Sequence, residues 1–162
     1  MPTSTDTLYT QTMNQNMTTP ITDIDELDET ILMFEDAISE HTHWFLGWTK
    51  TIVCGSLLEN SAQYLHDDAH THCDFGKWIS NNASTRISRF QNFPLIAKIH
   101  RELHARGRDL LLVHLDGGKI PSSDFEGFID LRKDFVEQLM LLDSELHMLI
   151  LDPNIPALYK EL

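Results

Sequence analysis

The sequence predicts an all-α protein, an antiparallel four-helix bundle of three long helices and one short helix, and three observations carry that prediction. Apolar residues recur in alternating steps of three and four along three separate long stretches. No run reads as a credible strand. The 162 residues are enough to bury a real core, and with only two cysteines the chain relies on that core rather than on disulfides.

Residues 1–21 are rich in Thr, Gln, Asn and Ser, lack periodicity and contain Pro20, so they read as a disordered polar tail. The bundle is expected over 22–153 and a C-terminal tail over 154–162. Thr22 or Asp23 can cap the first helix, with Asp25 and Glu26 placed to favour the positive end of its dipole. Its seam runs Ile24, Leu27, Ile31, Phe34, Ile38, His41, Phe45, Trp48, Ile52, and Cys54-Gly55 supplies an end. Glu59 to Asp68 reads as a polar connection, followed by a short helix around Trp78 and a second polar connection from Asn81 to Asn92.

Phe93-Pro94 opens the next long helix, since proline suits the first turn. Its inward stripe is Phe93, Ile96 or Ala97, His100, His104, Gly107 and Leu111, ended by Asp116-Gly117-Gly118. Pro121-Ser122-Ser123 opens the last helix, where Ser123 to Glu126 has capping-box spacing. Its seam is Phe125, Phe128, Phe135, Leu139, Leu142, Leu146 and Leu149, interrupted at Arg132. The run from Leu139 to Leu151 is apolar on more than one face, which suits cover by a second subunit or another domain. Pro153 and Pro156 stop this helix.

The formal charge of -13 arises from acidic residues spread along the chain, with no basic block, which argues against a nucleic-acid surface. Cys54 and Cys73 fall in different predicted elements, so the pattern is not a secreted disulfide framework and points to the cytoplasm. A basic n-region followed by an apolar run is absent, as is any stretch of about eighteen apolar residues, so neither a signal peptide nor a membrane span is expected.

The stretch Ala69 to Ile79 organises the site. Cys73 is the best metal ligand in the sequence, and Phe75, Gly76 and Trp78 after it supply aromatic anchors and a close backbone approach. His41 occupies an apolar slot of the first seam, where its two ring nitrogens need either neighbouring polar partners or a metal and a hydrogen bond. His100 and His104, four apart, share one helical face within reach of a single ion. One thiolate and three neutral imidazoles suit tetrahedral zinc, leave one net positive charge, and fill every coordination position, so no catalytic centre is expected. Cys54 reads as a packing residue. His66, His70 and His72 form a local cluster that is either solvent-exposed or a secondary metal site, and His43 points to a different face from His41.

His41-Thr-His-Trp44, then Cys73-Asp-Phe-Gly76-Lys-Trp78, then His100-Arg-Glu-Leu-His104 resembles the chemoreceptor zinc-binding domain of bacterial chemotaxis receptors and of a zinc-regulated diguanylate cyclase. The likeness covers roughly Asp23 to Asp152. It implies zinc on His41, Cys73, His100 and His104, a four-helix bundle, and a homodimer through the bundle helices. It also implies a regulatory role, in which zinc occupancy or thiolate oxidation changes the output of a bacterial signalling protein of chemoreceptor or diguanylate cyclase type. No cyclase signature and no long signalling hairpin accompany the motifs here, so a stand-alone sensor is expected.

Three alternatives stand beside this reading. A haemerythrin-like di-iron protein uses a similar histidine-lined bundle, but no histidine here is followed four residues later by the bridging glutamate. A zinc hydrolase would need Glu40 or His43 as base, and adjacent helical positions diverge from the ion His41 holds. A purely structural zinc staple for an interaction module needs the same four ligands as a sensor.

Overall fold

The computed structural model describes residues 24–55 and 62–152. The expected tail over 1–21, the caps at Thr22 or Asp23, and the stops at Pro153 and Pro156 lie outside those residues. Within them the chain is helical, with no strand: α1 (Ile24–Cys54), α2 (Ala62–Leu65), α3 (Ala69–His72), α4 (Asp74–Asn82), a 3₁₀ turn (Arg86–Arg89), α5 (Phe93–Leu115) and α6 (Ser122–Leu151). The three long helices pack on one another, with α5 against α6 the most extensive pairing and α1 against α6 the next. The short helices line up along α1 and α5: α2 and α3 lie on α5, and α4 touches both. A string of short elements therefore stands where the sequence predicts one short helix.

The long helices form for the reason their seams give: each buries a stripe of large apolar side chains. Phe34, Trp48, Phe128, Phe135, Leu139 and Leu111 are at most 1% exposed. Trp48 joins all three, its indole N–H donating to the Gly107 carbonyl of α5 at 2.7 Å and its ring centred 4.7 Å from Phe128 of α6. A buried polar tip on a large apolar ring needs such a partner.

The buried face of α1 is wider than the expected seam, whose Leu27, Ile31, Phe34, His41 and Trp48 are buried as expected. Thr30, Ala37, Trp44 and Thr51 are buried, whereas Ile38, Phe45 and Ile52 are only half-buried. The reason is that α1 is packed by α6 on one side and by α4 and α5 on another, which widens its inner stripe. Threonine tolerates that position because its hydroxyl donates back to the helix, as Thr51 does to the Gly47 carbonyl at 3.1 Å.

Both polar connections contain anchored structure. Tyr64 of α2 is buried and stacks on Trp44 with rings 5.7 Å apart, and Ile87 and Phe90 in the second connection are at most 2% exposed. One or two large apolar residues pin each connection without producing a periodic pattern.

Helix ends follow local chemistry. α5 closes in a Schellman arrangement: Gly117 has φ 77°, its N–H reaches the His114 carbonyl, and the Gly118 N–H reaches the Val113 carbonyl at 2.8 Å. The capping box at Ser123 does not form. Helix α6 begins a residue earlier, and the Pro121 carbonyl accepts from the Asp124 and Phe125 N–H groups, which leaves Ser123 inside the first turn. Among the described residues no helix is long and apolar enough to cross a membrane.

Candidate metal centre

Helix α1 presents His41, the junction between α3 and α4 presents Cys73, and α5 presents His100 and His104 one turn apart. The ligand atoms of these four residues lie within 4.8 Å of one another. His100 Nε2 is 3.0 Å and His104 Nε2 is 3.3 Å from His41 Nε2, while Cys73 Sγ is 3.3 Å from His100 Nε2 and 4.0 Å from His41 Nε2. Tetrahedral zinc, with Zn–N of about 2.0–2.1 Å and Zn–S of about 2.3 Å, needs separations of about 3.3 Å between nitrogens and about 3.6 Å between nitrogen and sulfur. The nitrogen–sulfur separations of 3.3 and 4.0 Å bracket the second value, and the two separations from His41 Nε2, 3.0 and 3.3 Å, fall at or just below the first.

Protonation decides what these atoms offer. His41 Nδ1 lies 2.7 Å from the Ala37 carbonyl, so that nitrogen carries the proton and donates it. Nε2 of His41 is then left with a lone pair directed at the other two imidazoles. Burial drives the pKa of His41 down to about 4 and that of His104 to about 3. His100 is lowered as well, by burial first and then by His41, His104 and His70. All three imidazoles are therefore neutral at pH 7, the form that binds metal. His104 Nδ1 is buried without a hydrogen-bond partner in the protein.

Cys73 is poised differently. Burial pushes its thiol up to about 11, and the carboxylates of Glu40 and Asp74 add to the rise, while the Gly76 N–H opposes it. The Gly76 N–H donates to Sγ at 3.2 Å, which makes the sulfur the N-cap of α4. The carboxylates that disfavour a bare thiolate favour a cation bound to it, so this environment couples loss of the thiol proton to metal binding.

The frame around the sulfur is aromatic. Phe75 is fully buried, stacks on Trp78 at 5.7 Å, and meets the rings of His41 and His100 edge-on at 6.0 and 5.2 Å. Trp78 in turn packs on Phe34 and Phe93, and Trp44 covers His104 with rings 4.9 Å apart. Gly76 is required where it is, because a Cβ there would stand 1.7 Å from the His70 carbonyl oxygen. The pattern Cys-Asp-Phe-Gly-Lys-Trp thus encodes a sulfur cap, two core anchors and a tight crossing of α3 over α4.

Residues 41–111 match the family model of the chemoreceptor zinc-binding domain. The matched span begins at the first histidine of the cluster and contains all four of its residues. Zinc is accordingly the metal of this domain family, and the chain has a cluster able to hold it. No curated protein and no solved structure matches the chain.

The cluster unites the four residues the sequence singles out, and the other histidines lie outside it. His43 is exposed and bonds the Ser39 carbonyl through Nδ1, His66 and His72 are exposed around Asp68, and His70 is half-buried with its ring 6.5 Å from that of His100. Cys54 is exposed at the end of α1, a correction to its expected packing role: it is the last residue of the helix and the chain turns away at Gly55 with φ 63°. Sequence reasoning weighed Glu40 only as a hydrolytic base; its carboxylate instead accepts from the Asp74 and Phe75 N–H groups at the start of α4. Burial raises its pKa against those bonds.

Proposed function

We propose that His41, Cys73, His100 and His104 hold one zinc ion in a closed four-ligand site, and that the domain is regulatory. Zinc occupancy, or oxidation of the Cys73 thiolate, would then set the state of a bacterial signalling partner of the chemoreceptor or diguanylate cyclase type. The observation that carries this reading is the convergence of three imidazole nitrogens and one sulfur within 4.8 Å of one another, with the His41 tautomer fixed by Ala37. The expected antiparallel bundle, cytoplasmic setting and homodimer belong to the same proposal. Exposed apolar residues on α1 and α6, including Leu46, Met140, Leu141 and Met148, support a covered face.

Bound zinc would keep Cys73 as thiolate, the form that oxidants attack. The ligands come from three segments far apart in sequence, so binding energy is partly spent on docking α1, the α3–α4 junction and α5. Apparent values for structural zinc in peptides are about 10–16 kcal/mol, and a few of these kcal/mol suffice to bias two packings of a bundle. With every position taken by protein, the site has no place for a hydrolytic water.

The first test is metal content of protein purified without added metal, with a visible spectrum and a Cys73→Ala control. About one zinc per chain, colourless, and weakened in the variant is the expected result. Iron near two per chain with a charge-transfer band would replace this reading with the di-iron one. Reversible zinc removal that changes shape while the helices persist supports sensing; global unfolding on chelation supports a structural staple.

A further inference from the structure

A cavity of about 730 Å³ opens beside the cluster, and its lining includes His41, Cys73 and His104 together with the exposed His66 and His72. We propose that His66, Asp68 and His72 form a second, weaker divalent-metal site whose two histidines line this cavity, and that ions pass through it to the four-ligand cluster. The entry role rests on the zinc reading above, whereas the existence of the second site does not.

The Asp68 carboxylate stands between the two imidazoles: one oxygen is 3.2 Å from His72 Nε2 and the other 3.7 Å from His66 Nδ1, with the rings 6.3 Å apart. Asp68 occupies the N-cap position of α3 but its carboxylate makes no capping hydrogen bond. The Thr71 N–H goes instead to the Asp68 main-chain carbonyl at 2.8 Å. An aspartate at such a position ordinarily turns to the helix N–H groups; here it is turned to the histidines.

The backbone carrying these residues is held in place. Ala69 is buried, and Arg108 of α5 donates to Asp67. His72 directly precedes Cys73, so one short segment carries a ligand of each site. Two imidazoles and a carboxylate, with water completing the shell, suit zinc, cobalt or nickel. The three side chains are 64%, 58% and 65% exposed, which keeps an ion there hydrated and exchangeable. The histidines of the cluster are at most 5% exposed, so an incoming ion must shed its water to enter, and an exposed set of similar ligand types beside the shared cavity provides a first landing point.

The test uses the full, metal-free chain and Co²⁺ alone. Equilibrium dialysis counts all bound ions, and thiolate-to-cobalt charge-transfer absorbance counts only those on Cys73. Dialysis is expected to reveal a second, weaker ion after the absorbance has saturated. In His66→Ala/His72→Ala that second ion should be lost, the final absorbance should be unchanged, and stopped-flow filling of the thiolate site should slow. Both positions are exposed, and circular dichroism checks that the helices persist. Dialysis that finds no ion beyond those the thiolate band counts, or a double variant that keeps the extra ion, overturns the site. Unchanged filling after loss of the second ion overturns the entry role. Absence of the thiolate band in the unaltered chain counts against the four-ligand reading alone, because dialysis still scores the second site.

Discussion

Replacing Gly76 by alanine should break the metal site without touching a ligand. A Cβ at this position would lie 1.7 Å from the His70 carbonyl oxygen, 2.8 Å from its carbon and 3.3 Å from Cys73 Sγ. The first two contacts are backbone, so no side-chain rotation relieves them, and α3 must part from α4 by more than about 1 Å to reach ordinary contact. Metal–ligand distances tolerate only about 0.2 Å. The Gly76 N–H that caps the sulfur moves with the same turn. Overpacking of this kind costs about 1–3 kcal/mol of stability. Loss of a ligand's support lowers metal affinity by about 10- to 100-fold. Competition of the purified variant against a chromophoric chelator measures the second effect, and chemical denaturation of the metal-free form measures the first. Gly127→Ala is the control, because nothing lies within 4 Å of a Cβ there and α6 is exposed at that point. If Gly76→Ala bound zinc as tightly as the parent chain, the argument that the glycine positions the sulfur would be wrong.

Three further outcomes are expected. The metal-free protein should lose stability as pH falls below 6.5: an unfolded histidine takes up a proton there, whereas folded His41 stays neutral down to about 4 and His104 to about 3. At pH 5.5 each such histidine costs about 1.4 kcal/mol, about 4 kcal/mol for the three, so denaturant midpoints measured at pH 7 and 5.5 should separate clearly; equal midpoints would refute it. Phe128→Ala should destabilise the fold by about 3–5 kcal/mol, because its fully buried ring touches Trp44, Phe45 and Trp48 at once, and thermal melting reads the loss. Met140→Glu/Leu141→Glu should convert a dimer to monomer by light scattering with helicity intact, since both side chains are more than half exposed, and a parent chain that is already monomeric would sink the homodimer.

Helical class, the three long helices and the four residues that converge were legible in the sequence, because each rests on local spacing. A three-four apolar period fixes which face of a helix turns inward, and His100 with His104 at a separation of four is a statement about one helical turn. Gly55 and Gly117 end helices through their own backbone freedom, so those ends were legible too.

What the sequence left undecided depends on partners distant along the chain. The widening of the buried stripe of α1 to Trp44 and Thr51 arises because α4, α5 and α6 all press on it. Tyr64, Ile87 and Phe90 look isolated among polar neighbours until a core residue from another helix meets them. Glu40 finds the N–H groups of α4 more than thirty residues away, and the His41 tautomer matters because the imidazoles of α5 stand opposite it. Local spacing selects the helices and singles out the four residues that cluster. Only tertiary packing sets the distances among those residues and, by burial, keeps the three imidazoles neutral as pH falls, and those two effects make four side chains one site.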